Sequence, residues 1–173
     1  MAVDQFEVFH GVVLTKLVRS ARPITLRLIE TRPAEAWAAY TLNNAVDLFM
    51  KHSATPKLVR GGGGERSWHF TVGQVQLAEM ASSRSSRRLY VALIGGSAQV
   101  KDSHKWSVCL LEPNQVEELL DFTPRKLMDF SSTFQQSIIV RWTPGKQLRV
   151  YKEGKEKFKV PQNRLDNWKV PGG

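Results

Sequence analysis

A single cysteine, Cys109, stands among 173 residues, so the chain can form no internal disulfide and no multi-thiolate metal site. Histidine is nearly as scarce. His10, His52, His69 and His104 lie in separate segments, with no HxxxH, HExxH or CxxC spacing, so no metal site is expected. GxSxG and Walker-type loops are absent too. Gly61 to Gly64 lack the following Gly-Lys-Ser/Thr of a phosphate cradle and read as an exposed loop. The longest apolar runs, such as Val91-Ala92-Leu93-Ile94, fall far short of the roughly 20 residues a membrane helix needs. Asp4 and Glu7 occupy the place where a secretory signal carries basic residues. These absences lead to the expectation of a cytoplasmic protein with no membrane partner.

What is present is an ordinary globular composition, 42% hydrophobic and 24% charged, with a marked excess of cations. Twenty-five Lys and Arg face sixteen Asp and Glu, for a net charge of +9. The excess is unevenly placed. From Arg141 onward there are nine basic residues and three acids, which leaves sixteen and thirteen for the first 140 positions. Two-thirds of the surplus therefore sits in the last 33 residues. An anionic partner suits that balance, and nucleic acid is the commonest.

Turn residues divide the chain into short segments. Phe6, Phe9, Val13 and Leu17 keep helical spacing over residues 5 to 19. Strands are expected at Ile24 to Glu30, Trp37 to Leu42 and Val46 to His52, the last two joined by a tight Asn43-Asn44 turn. Trp68 to Val72 reads as a strand and Gly73 to Ser82 as a helix. Leu89 to Ile94 is apolar throughout, as a strand covered on both faces would be. Trp106 to Leu111 is a second buried strand, and Glu112-Pro113 opens a helix carrying Val116, Leu119 and Leu120. Ser137 to Trp142 and Gln147 to Lys152 flank Pro144-Gly145, a type II turn signal, so a hairpin is expected there. The sum is one α+β domain over residues 1–173. It holds a mixed, mainly antiparallel sheet of about eight strands and about three helices, and ends in a basic hairpin and tail from about 137 to 173.

The hairpin carries the chemistry of a binding surface. Alternate strand residues share a face. Leu148 and Val150 therefore continue the apolar face of Ile138, Val140 and Trp142, while Arg141, Arg149 and Tyr151 share a polar one with Lys146 and Lys152 at its ends. Beyond it, Phe158 and Trp168 alternate with Lys155, Lys157, Lys159, Arg164 and Lys169. Cations interleaved with aromatics suit phosphate neutralisation combined with base stacking. The candidate nucleic-acid-binding residues are Arg141, Lys146, Arg149, Tyr151, Lys152, Lys155, Lys157, Lys159 and Trp168. The bland alternative has Trp142, Phe158 and Trp168 docking the tail on the core while the lysines are merely solvated.

An early helix, a three-strand meander and later βα units over residues 5 to 122 resemble the layout of the PD-(D/E)XK nuclease-like superfamily. The resemblance implies a small basic protein of a bacterial mobile element or phage-defence locus. It also implies an acid and a (D/E)-x-K strand holding Mg²⁺ for phosphodiester hydrolysis. The matching stretch, Tyr40 to Lys51, has Phe49 where the motif has its carboxylate. Asp47 shares a strand face with Lys51 but lies about 13 Å from it along the strand, against about 7 Å for the motif. Glu30, at a strand end, would be the first acid. Glu153-Gly154-Lys155 matches E-x-K only formally, without a partner acid.

The leading expectation is thus a nucleic-acid-associated domain of nuclease-like type without catalysis and without a cofactor. An Mg²⁺-dependent nuclease using Glu30, Asp47 and Lys51 is a second reading. The third is a protein–protein module or homo-oligomer, with the five Trp residues as anchors.

Overall fold

The computed structural model describes residues 5–19, 23–32, 35–59, 64–96, 106–127 and 135–172, so His104 and most of the Gly61 to Gly64 run lie outside the described residues. Helix α1 (Gln5–Val18) buries Phe6, Phe9, Val13 and Leu17, as their spacing predicts. Three antiparallel strands follow: β1 (Leu26–Arg32), β2 (Trp37–Leu42) and β3 (Val46–Ser53). Between the last two, Asn43 and Asn44 both take φ 53°, the left-handed backbone of a two-residue type I′ turn. Strands β4 (Lys57–Leu58) and β5 (Arg66–Gly73) then leave for a second sheet. Helix α2 (Gln74–Arg84) brings the chain back, and β6 (Arg88–Gly95) runs parallel to β3. Next to it lies β7 (Ser107–Leu111), antiparallel. Helix α3 (Pro113–Leu119) starts on Pro113 behind a capping box of Glu112 and Gln115, and α4 (Pro124–Leu127) is a single turn. Strands β8 (Gln135–Trp142), β9 (Leu148–Lys152) and β10 (Lys155–Val160) complete the second sheet, and the one-turn α5 (Arg164–Asn167) follows.

The α+β class is as expected, but ten strands form two five-stranded sheets, β1-β2-β3-β6-β7 and β10-β9-β8-β5-β4, in place of one sheet of about eight. Two causes account for the difference. Strand β4 is two residues long, too short to show any period, and β10 reads Lys-Glu-Lys-Phe-Lys-Val, an edge strand in which only Phe158 and Val160 pack inward. The expected basic tail is therefore ordered. Glu153 (φ 51°) and Gly154 (φ 76°) turn β9 into β10, and α5 then docks Leu165 in the core.

Apolar side chains fill two layers. Trp37, Phe49, Leu89, Val91, Leu93 and Cys109 of the first sheet meet Trp68, Phe70, Ile138, Val140, Leu148 and Val150 of the second. On the far side of the first sheet, Leu48, Met50, Ala92 and Ile94 pack under Phe9, Val13 and Leu17 of α1 and Leu165 of α5. Strands β3 and β6 are thus covered on both faces, which is why Leu89 to Ile94 is apolar without alternation.

Candidate nucleic-acid interface

The second sheet turns one face to the first sheet and the other outward. Strand alternation sends Ile138 and Val140, Leu148 and Val150 inward, and Arg141, Arg149 and Tyr151 the other way, as the sequence predicts. Cross-strand register then does what no single segment shows. Lys57 of β4 stands opposite Ser67 of β5, Ser67 opposite Arg141, Arg141 opposite Arg149 and Arg149 opposite Lys159. With strands about 4.8 Å apart, four cations lie in one row about 19 Å long. His69, Thr71 and Ser137, on the same face, are exposed.

Beneath the row lies Glu65, buried immediately before β5. Arg149 donates from Nη2 to Glu65 Oε2 at 2.5 Å, and Arg141 Nη1 lies 3.6 Å from Oε1. The carboxylate fixes two guanidiniums and cancels one charge, so the trio keeps a net +1. Arg141 also lies 4.4 Å from the centre of the Tyr151 ring. The Tyr151 hydroxyl donates to Glu156 at 3.0 Å. Burial, and then that bond, pushes its phenol above the ordinary value. The imidazole of His69 is pushed below its ordinary value by desolvation, then by the charges of Lys57 and Arg141. The smaller part of that shift, from Lys57 and Arg141, reflects the positive charge of this face.

The remaining predicted cations frame it. Lys146 is exposed on the β8–β9 turn, Lys152 is half-buried at the end of β9, and Lys155, Lys157 and Lys159 are exposed along the edge strand β10. Lysines on an edge also discourage pairing with a further strand. The predicted aromatics do not join them. Tyr151 is only 8% exposed and capped by Arg141, which leaves no ring face for a base. Trp168 lies on the far side of the first sheet, its ring centre 4.7 Å from that of Tyr90. Trp142 donates to Gln162 at 3.0 Å, and both it and Phe158 pack against the inter-sheet core. The interleaving of Lys with aromatic residues thus separates cations outward from rings inward, because a sheet's inner face takes the apolar area. Lys57, Glu65 and His69 were not anticipated. They belong to segments more than 60 residues before the hairpin, and only strand pairing brings them to it.

The predicted catalytic set is brought to one face but is otherwise engaged. Register puts Glu30 opposite Ala39 and Ala39 opposite Phe49, the residue between Asp47 and Lys51 on that face. Asp47 is fully buried. It accepts from Thr41 at 2.8 Å, from Arg87 Nε at 2.9 Å and from the Ser83 hydroxyl. The Lys51 ammonium donates to the Glu35 backbone carbonyl at 2.7 Å and to Gln76 at 3.4 Å, and burial lowers its pKa against the opposing pull of Glu35. Glu30 pairs with Arg32 at 3.8 Å. Both Asp47 oxygens have protein partners, so these residues do not fit Mg²⁺. Among the described residues no group of three or more His, Cys, Asp or Glu is arranged to hold a metal ion. Of Glu153-Gly154-Lys155, the first two form the β9–β10 turn and Lys155 opens β10.

No family model, no curated protein and no solved structure matches the chain.

Proposed function

We propose that this protein binds nucleic acid through the outer face of its second sheet, by phosphate contacts, and that its nuclease-like first sheet is without catalysis. The carrying observation is the row of Lys57, Arg141, Arg149 and Lys159, drawn from four strands onto one face. Cations held on rigid strands neutralise phosphates and release counterions, an attraction that does not depend on base sequence. With Tyr151 capped and Trp168 remote, stacking contributes little, so recognition is of the backbone. The nuclease-like part of this reading rests on the sequence resemblance; in the chain the meander β1–β2–β3 is followed by β4 and β5 of the second sheet before α2 and the parallel β6. The partners of Asp47 and Lys51 favour a structural use of that pair.

Fluorescence anisotropy with labelled single-stranded DNA, duplex DNA and RNA across a salt series tests the reading. The paired substitution Lys57→Ala and Lys159→Ala avoids stripping Glu65 of its partners. It should lower the log–log salt slope by about two. Binding with an unchanged slope removes this face from the account; no binding at low salt ends it.

One observation favours a second reading, a second copy or other protein at the edge of the first sheet. Among the described residues, strand β1 pairs only with β2 and leaves Leu28 51% and Ile29 45% exposed. Light scattering should then report a dimer that Leu28→Glu dissociates; a monomer at all concentrations refutes self-association.

A further inference from the structure

The row of cations ends at a cavity. Where β8 turns into β9, a recess of about 470 Å³ is lined by Glu65, Thr143, Lys146, Gln147, Arg149 and Lys159. Its rim is braced. Gln162 donates to the Thr143 carbonyl at 3.4 Å and also to that of Lys146, while its own oxygen accepts from the Trp142 indole. Within the turn, the Lys146 amide donates to Thr143 at 3.1 Å. A loop held in this way fixes the backbone that carries Lys146, so that only its side chain remains to be ordered on binding.

Three cations and one carboxylate give the lining a net charge of +2. Among the described residues, neither Lys146 nor Lys159 has a carboxylate partner. An internal phosphodiester brings one negative charge, whereas a phosphate monoester brings about 1.5 to 2 and three acceptor oxygens. Resting on the interface reading above, we propose that this recess takes the terminal phosphate monoester of a nucleic-acid strand, with the next phosphates running along Arg149, Arg141 and Lys57. The monoester matches the charge of the lining. The side-chain donors, Lys146, Arg149, Lys159, Thr143 and Gln147, converge from one β-turn and two strands. Glu65 forms the floor and holds Arg149 in place. The recess lies beside the β8–β9 turn on the last two strands of the sheet, where the row ends at Lys159 of the edge strand, so a chain terminus fits where the cations run out.

The test compares oligonucleotides of one sequence, labelled internally, carrying a 5′-hydroxyl, a 5′-phosphate or a 3′-phosphate. A terminal phosphate at one end should tighten binding by about tenfold or more, the scale of one or two charge-assisted contacts. Lys146→Ala should abolish that preference, bringing the phosphorylated strands to the same affinity as the hydroxyl form measured on the same variant. Lys57→Ala, remote from the recess, should weaken all forms by the same factor. Equal affinity for hydroxyl and phosphorylated strands overturns the proposal and leaves the interface standing. A preference that survives Lys146→Ala overturns the assignment to this recess. Failure of every oligonucleotide to bind ends both readings. If adenosine monophosphate binds the recess while no oligonucleotide does, the ligand is a free nucleotide and the proposal falls.

Discussion

Gly95 illustrates how one residue fixes the meeting of the two sheets. A Cβ built there would lie 2.4 Å from Trp68 Cδ2, and the Trp68 indole is buried in the inter-sheet core. Gly95→Ala must push the indole aside and should cost about 1–3 kcal/mol. A chain of this length then loses roughly 2–4 °C of melting temperature per kcal/mol, which calorimetry resolves; an unchanged midpoint refutes the contact. His69 reports on the outer face. Its imidazole is depressed below 6.5 by desolvation and by Lys57 and Arg141. A bound polyanion offsets those two charges and raises the pKa again, so binding takes up a proton. Affinity should therefore grow as pH falls through the window below 6.5 and be flat above about 8. Anisotropy over that range checks the sign, and His69→Gln should flatten the profile. A flat wild-type profile places His69 away from the anion.

At the level of elements, legibility followed length and burial. Helix α1, the Asn43-Asn44 hairpin, the doubly covered β6 and the Pro113 start of α3 are carried by local pattern, and each forms where the pattern puts it. Strand β10 is different. Its three exposed lysines hide the inward pair Phe158 and Val160, and a bulge at Lys157 interrupts the alternation. Asp47 and Lys51 show the opposite limit. Both residue types suit catalysis, but Arg87, Thr41 and Ser83 on one and Gln76 on the other come from β2, α2 and the loop after it. A buried carboxylate with three donors anchors α2 to the sheet.

For the whole molecule, the C-terminal segment is a structural closure. Arg164 donates to the Leu110 carbonyl at 3.1 Å and to Gln115 at 2.6 Å, Leu165 is buried under α1, Lys16 pairs with Asp166 at 2.5 Å, and the Asn43 amide reaches the Pro171 carbonyl at 3.3 Å. Ending the chain after Pro161 should lower the melting temperature by more than about 5 °C, because it exposes the apolar face under Leu165 and Trp168. A dispensable basic tail would leave stability unchanged and reduce only nucleic-acid affinity. Thermal melts and anisotropy on the same truncated protein separate the two.

By itself the sequence determined the class, most element positions, which residues of the hairpin face inward and the basic bias of its last 33 residues. Those properties follow from period, turn chemistry and charge, which are local or additive. Tertiary structure alone decided that the strands divide into two sheets and that Lys57 joins Arg141, Arg149 and Lys159 in a row. It also decided that Glu65 is buried beneath two arginines and that Trp168 leaves the cations for the opposite layer. Each depends on register between segments distant in sequence, and register is set by the packing of two apolar layers that no single segment contains.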